Sequence, residues 1–280
     1  MSILMALFLG LIQGITEFLP ISSSGHLSIL QNLLNMGYND ESHLLFQVLL
    51  HLGTLVSICV VYRQELKLMV SDGIEYLQLR GDNEADEPLV LKAPARTLLF
   101  VFIGTLPLFI ALIFWGSISQ LFFHTGFVGF ALIVTGGLLF VSDKYIKRGK
   151  KSEKTIKLSD ALVIGLAQAV ATLPGLSRSG TTISVGLARG LSGSFAVRFS
   201  LLLSIPAVVG ATIVALYRAI REGVDFSLFP TYFAGFIVAA VVGFFTIQFL
   251  RRLVAKGGFG KIAYYCWILG GVTILLSLVL

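Results

Sequence analysis

The sequence predicts an all-α, polytopic membrane protein: six transmembrane helices plus two re-entrant helical hairpins in an inverted-topology repeat. Three observations carry the prediction. The 280 residues are 56% hydrophobic and 13% charged, with a mean hydropathy of +0.89, against the roughly 25% charged usage of soluble domains. Six stretches approach the roughly 20 apolar residues that a spanning helix needs. Two further apolar regions are broken by Pro and Ser/Gly clusters and echo one another.

Taken in order, residues 3–33 form the first broken region, interrupted at Pro20 and Ser22-Ser23-Ser24-Gly25. Its halves are too short to span, and such breaks are tolerated in a membrane only where they are buried in protein or line a wet cavity. The region lacks the charged n-region and small-residue cleavage site of a signal peptide, so it is expected to stay in the mature protein. Spans follow at 44–62, 97–116 and 124–142, with 63–96 read as a loop. Residues 160–190 repeat the broken pattern, and spans at 195–218, 230–250 and 262–280 complete the chain. The whole is one integral membrane domain, 1–280, with halves of about 1–142 and 158–280 joined by a basic linker, 143–157.

The formal charge of +6 reflects topology rather than nucleic-acid affinity, because the basic residues sit in short connecting loops. Lys144, Lys147, Arg148, Lys150, Lys151, Lys154 and Lys157 face only Asp143 and Glu153 in the linker, which is expected to be cytoplasmic. Loops 63–96 and 251–261, the latter with Arg251, Arg252, Lys256 and Lys261, fall on the same side. Asp82, Glu84, Asp86 and Glu87 do not oppose this, since acidic residues contribute little to orientation; Arg218 and Arg221 are a minor violation. Arg189 and Arg198 are accounted for as inner-side anchors. Cys59 and Cys266 sit in apolar stretches without metal or disulfide spacing and are read as buried thiols.

The repeat is specific at its anchors. Gly10-Leu11-Ile12-Gln13 leads through Leu19-Pro20 to Gly25, and Gly165-Leu166-Ala167-Gln168 leads through Leu173-Pro174 to Gly180. A broken hairpin followed by three spans makes an odd number of crossings, so the second half is expected upside down, with the hairpins meeting near the midplane. Aligned this way, Glu17 faces Thr172, Ser23 faces Arg178 and His26 faces Thr181. One half brings acid, hydroxyl and imidazole, the other a guanidinium.

Ionisable groups in membrane-embedded segments are costly and point to function. Gln13 and Glu17, four apart, share a helix face. Ser22, Ser23, Ser24 and Gly25 open a short helix whose unpaired N–H groups suit an anion. His26, three residues after Ser23, is expected to activate that hydroxyl. Arg178, among Ser177, Ser179, Gly180, Thr181 and Thr182, has a fork geometry matched to phosphate oxygens. An ion pair between Arg178 and Glu17 that merely stitches the hairpins is the plainer alternative. His51 either lines the cavity or bonds between helices, while His43 and His124 read as loop or interface residues.

Gln13-Gly14-Ile15-Thr16-Glu17-Phe18-Leu19-Pro20-Ile21-Ser22-Ser23-Ser24-Gly25-His26 and Pro174-Gly175-Leu176-Ser177-Arg178-Ser179-Gly180 closely resemble the two signature motifs of the bacterial undecaprenyl-diphosphatase, or bacitracin-resistance, family. The resemblance extends over essentially the full length and includes Phe46 to Gly53. It implies hydrolysis of undecaprenyl diphosphate to the monophosphate and phosphate, recycling the lipid carrier of cell-wall synthesis and conferring bacitracin resistance. Glu17 then corresponds to the second acid of the (E/Q)xxxE motif, involved with the divalent metal or the catalytic water, with Gln13 in its variable first position. Ser23 matches the proposed nucleophile, His26 the essential histidine and Arg178 the phosphate-binding arginine. The cofactor implied is Mg²⁺ or another divalent cation such as Ca²⁺.

Two mechanisms stay open from the sequence: attack by Ser23 with His26 moving the proton, or a water activated at the metal with Ser23 as a phosphate ligand. The partners expected are the polyprenyl diphosphate and membrane lipids, with no nucleic acid and a homodimer left open. The setting expected is the bacterial inner membrane, with the site open to the periplasmic face. A lipid-phosphate carrier is the rival function, because broken inverted repeats also mark transporters. Ser23, His26 and Glu17 supply chemistry that a carrier would not need. No ring of filter residues supports a channel.

Overall fold

A computed structural model describes residues 2–33, 41–81, 91–146, 148–222 and 228–278, without the side chains of 41–44, 80–81, 218–220 and 222. The acidic residues Asp82, Glu84, Asp86 and Glu87, and Lys147 of the linker, lie outside the described residues, as do the side chains of His43 and Arg218.

Among the described residues the structure is helical: α1 (Ile3–Thr16), α2 (Ser23–Leu33), α3 (Glu41–Val61), α4 (Arg63–Gly81), α5 (Ala93–Thr105), α6 (Leu108–Ile113), α7 (Trp115–Gln120), α8 (Thr125–Ser142), α9 (Leu158–Val170), α10 (Arg178–Ala188), α11 (Gly193–Glu222), α12 (Phe229–Lys256) and α13 (Phe259–Ser277). Five segments are long and apolar enough to cross a membrane: Ala93–Ile113, Thr125–Ser142, Gly193–Tyr217, Phe229–Lys256 and Phe259–Ser277. A sixth is reached if α3 and α4, bent by 77° at their junction, count as one broken span. The chain is thus a multi-pass membrane protein with five or six spans.

The sequence reading of 63–96 as a loop is corrected by α4. That segment carries Arg63, Glu65, Lys67, Asp72 and Glu75 among its apolar residues, which hides it from a search for apolar runs. Met69 is buried, whereas Leu68, Val70, Ile74 and Leu77 are exposed. The 97–116 span is also interrupted, at Leu106-Pro107 between α5 and α6.

Without water between them, helices in lipid gain little from apolar burial and pack through close backbone approach at small residues. α8 packs on α13 where Gly129 and Gly270 lie against each other's carbonyls. α1 packs on α12 where Gly10 meets the backbone of Gly235, and α9 packs on α5 where Gly165 meets that of Gly104. α3 packs on both α11 and α12, with Gly53 against the Phe236 carbonyl. A Cβ at Gly10, Gly53 or Gly165 would collide with main chain that cannot move aside.

The basic residues gather at one end. Arg96 donates to the Glu153 carbonyl (2.7 Å), Arg198 to the Glu153 carboxylate (2.6 Å), and Arg251 lies over the Tyr62 ring. Beside them, Asp160 accepts from Lys151 Nζ (2.8 Å) and Arg189 Nε (2.9 Å) and caps α9 by accepting from the Lys157 amide. Burial alone would raise the Asp160 pKa, but those three donors outweigh it and hold the carboxyl below its usual range. This end lies beside the C-terminus of α8, whereas Ser28 and Asn32 of α2 bond to the Phe122 carbonyl near the N-terminus of α8.

Candidate active site

α1 ends because Pro20 cannot continue it, and the chain turns back through Ser22, whose φ of +70° is left-handed. A non-glycine residue held there costs about 1–3 kcal/mol, and the turn is fixed by its own bonds. The Ser22 hydroxyl accepts from the Gly25 amide (3.1 Å) and its carbonyl accepts from the His26 amide (3.2 Å). The second break is built alike: Ser177 Oγ accepts from the Gly180 amide (3.0 Å) and its carbonyl from the Thr181 amide (2.8 Å). Even the side contacts match, Ser22 with Ser24 (3.2 Å) and Ser177 with Ser179 (3.3 Å). The positive φ falls on Gly175 in the second break, and Thr135 ties that loop by donating to the Gly175 carbonyl and accepting from the Ser177 amide.

The two breaks touch. A Cβ on Gly25 would lie 3.2 Å from the Gly175 Cα, and one on Gly180 would lie 3.2 Å from the Pro20 Cβ. Ser179 reaches the Leu19 carbonyl. The N-termini of α2 and α10 therefore begin at one junction, and Glu17, 7% exposed, sits in it.

Four side chains converge on the Glu17 carboxylate. Arg178 pairs with Oε1. Oε2 accepts from Ser23 Oγ (2.7 Å) and Gln13 Nε2 (3.0 Å), and His51 Nε2 stands 3.6 Å away. Three of these were expected at the site, and His51 joins them from α3. Gly53, two residues on, faces α12 and not the acid, so the approach of His51 to Glu17 had no signal in the sequence.

His26 is placed differently from the expectation. Its Nδ1 lies 2.7 Å from the Ser22 carbonyl and its Nε2 lies 2.6 Å from the Tyr265 hydroxyl. The imidazole is bonded away from Ser23, whose proton goes to Glu17 instead. An i, i+3 spacing permits a Ser–His contact but does not compel it, and the left-handed Ser22 turns its carbonyl into the imidazole's path. Tyr265 carried no signal in an apolar span. Thr182 also turns away, donating to the Arg178 carbonyl (2.8 Å) and meeting Ser200 Oγ (2.5 Å) on α11.

The donor set bears on a divalent metal. Gln13 Oε1 is buried and unpartnered next to Glu17, and no group of three or more His, Cys, Asp or Glu exists among the described residues. One carboxylate and one amide oxygen are a poor cage for a structural ion, yet they suit Mg²⁺, which keeps several waters and takes its remaining ligands from phosphate. Thr181 Oγ1 and both amide atoms of Gln168 are likewise buried without partners.

Residues 6–272 match the family described as bacitracin resistance protein BacA. An undecaprenyl-diphosphatase of Syntrophotalea carbinolica is 40% identical over 99% of this chain and 100% of its own. Those of Methanobrevibacter smithii and Halothermothrix orenii are 38% and 36% identical, covering 96% and 99% of both chains. A match of this extent, with the two serine-rich breaks and the Glu17–Arg178 pair inside it, places the chain in the BacA bacitracin resistance protein family.

Proposed function

We propose that this protein hydrolyses undecaprenyl diphosphate to undecaprenyl phosphate and inorganic phosphate, as the names of its relatives describe, so recycling the lipid carrier and conferring bacitracin resistance. The observation that carries the reading is the shared Glu17 carboxylate, which joins the Ser23 hydroxyl on one hairpin to the Arg178 guanidinium on the other. Arg178 neutralises the terminal phosphate and the N-termini of α2 and α10 add donors. Ser23 Oγ gives its proton to Glu17 and attacks the terminal phosphorus. The bond to the bridging oxygen breaks, its electrons leaving with the prenyl monophosphate. Water then attacks that phosphorus and the bond to Ser23 Oγ breaks; Ser23 takes back the proton held by Glu17, and the proton lost by the water leaves with the phosphate to solvent. In the second reading Ser23 and Glu17 orient an attacking water instead; the 2.7 Å contact between them favours the first. Ser24, Ser177 and Ser179 shape the two breaks through their hydroxyl contacts, and the backbones of Gly25 and Gly180 allow the breaks to close on each other.

Mg²⁺, or a similar divalent cation, would be held by Glu17 and Gln13 Oε1 together with the substrate's phosphates. When bound it supplies charge neutralisation for the diphosphate.

The inverted-topology repeat with six spans and a single membrane domain, 1–280, is the architecture that fits this site. It is supported by the matching bonds of the two breaks and by the exchanged packing of α1 on α12 and α9 on α5. The basic end is assigned to the cytoplasm, with the first hairpin, and hence the substrate's headgroup, reached from the periplasmic side. A second copy of the chain remains a candidate partner alongside membrane lipids.

The test is phosphate release from a C15 or C55 prenyl diphosphate by purified protein with and without Mg²⁺, with rapid-quench capture of phosphoserine. Metal-dependent release that Arg178→Ala abolishes is the expected result. Saturable lipid binding without release would mean that the protein acts as a carrier, and full turnover by Ser23→Ala would remove the phosphoserine route.

A further inference from the structure

A ring nitrogen 2.7 Å from the Ser22 carbonyl must carry a proton, because a carbonyl oxygen only accepts. The hydrogen of neutral His26 therefore sits on Nδ1 and the lone pair on Nε2. The group facing that lone pair at 2.6 Å is the Tyr265 hydroxyl, which fits as a donor. The two rings are parallel within 5° at a centroid separation of 5.8 Å, so the phenol fixes the plane of the imidazole as well as its tautomer. Cys266, the next residue, reaches the Pro20 carbonyl. α13 is thereby seated against the first break, and the register of Tyr265 to His26 is built into the fold. The tyrosine is 45% exposed, so its hydroxyl is not demanded by burial. Packing alone would be served equally well by phenylalanine.

We propose that Tyr265 is the positioning residue of the histidine: its hydroxyl holds His26 as the Nδ1–H tautomer, with Nε2 the proton-accepting atom at the open side of the site. The inference rests on the hydrolase reading for its catalytic consequence, and on geometry alone for the tautomer. With Ser23 bonded to Glu17, His26 has no serine to serve, and Nε2 is the nitrogen left to exchange a proton with phosphate or water once the phenol gives way. A donor on Nε2 also prevents the ring from flipping, since a flipped ring would present carbon to both partners.

The test uses the full-length protein in detergent, labelled with ¹⁵N in its histidine rings. There are four histidines, and His26→Ala assigns the resonances of His26. The wild type is expected to show a protonated Nδ1 and a hydrogen-bonded, unprotonated Nε2. In Tyr265→Phe the Nε2 signal moves to that of a free acceptor or the tautomers mix. Turnover of Tyr265→Phe falls about five-fold, the worth of one ordinary hydrogen bond, with KM within about two-fold of wild type by the same measure. Tyr264→Phe, whose ring packs on Trp267, is the control and changes neither. A wild-type spectrum with the proton on Nε2, or a Tyr265→Phe protein identical to wild type in spectrum and turnover, overturns the proposal. Absence of phosphate release from wild type would instead overturn the hydrolase reading, and the spectra would still decide the tautomer.

Discussion

The two broken hairpins share a pattern of capping hydrogen bonds and differ in charge. Ser22 and Ser177 cap α2 and α10 with the same hydroxyl-to-amide bond at 3.1 and 3.0 Å, yet the next residue is Ser23 in one and Arg178 in the other. The first hairpin holds its left-handed φ on a serine, where it costs strain, and the second on Gly175, where the lack of a Cβ removes that cost. The comparison teaches that the scaffold of this site is duplicated while its chemistry is divided. Neither hairpin holds a complete set of groups, and the Glu17 carboxylate is where the halves are joined.

The largest effects come from cutting that joint. Arg178→Ala and Glu17→Gln should each lower kcat/KM about 10³-fold, in the range of a lost electrostatic clamp, measured as phosphate release. Each should also destabilise the protein by about 3–5 kcal/mol, because one buried charge is left unpaired. The double variant Glu17→Gln with Arg178→Gln should regain much of the lost stability and none of the activity. Recovery of activity would break the comparison.

Next in size is the difference between matched serines. Ser23→Ala should cost about 10²-fold or more in turnover if the hydroxyl is the nucleophile, whereas Ser177→Ala removes a cap worth about 1 kcal/mol, read as a lower Tm with turnover within a few-fold of wild type. The glycines should behave as a symmetric pair. Gly25→Ala and Gly180→Ala each push a Cβ to about 3 Å from the opposite hairpin and should each cost about 1–3 kcal/mol. Thermal unfolding in detergent checks whether the two losses are alike.

The smallest effect concerns the outer ends of the hairpins. α1 is capped by Ser2, which does not titrate, and α9 by Asp160. Since folding depresses the Asp160 pKa, its contribution is complete above the unfolded value of about 3.9 and is lost as pH falls through the lower folded value. The protection of amides in the first turn of α9, taken relative to their intrinsic exchange rate, should therefore fall below about pH 4, with α1 unaffected, and Asp160→Asn should abolish the dependence.

Much of this was legible in the sequence, for reasons that also explain the misses. Pro20, Pro174 and the Ser/Gly clusters announce the breaks because few residues end a helix so firmly, and an ionisable pair in apolar surroundings announces itself by its cost. α4 was missed because Arg63, Glu65, Lys67, Asp72 and Glu75 interrupt its apolar residues, so no apolar run forms. Tyr265 was missed because it comes from a helix more than 200 residues away in the chain, and such meetings are set by packing. The pairing of Ser23 with Glu17 rather than His26 turned on the left-handed φ of one serine, which residue type does not predict.

The packing of α1 on α12 also sets a schedule. The ribosome delivers about 5–20 residues per second, so roughly 10–40 s pass between completion of α1 and the start of α12. During that interval the close-packing face at Gly10 and Gly14 has no partner, and Glu17 waits for an arginine not yet synthesised. A helix made in the first half of the chain is thus enclosed only when the second half arrives, and until then the hairpin's own Gln13 and Ser23 are the donors within reach of its acid.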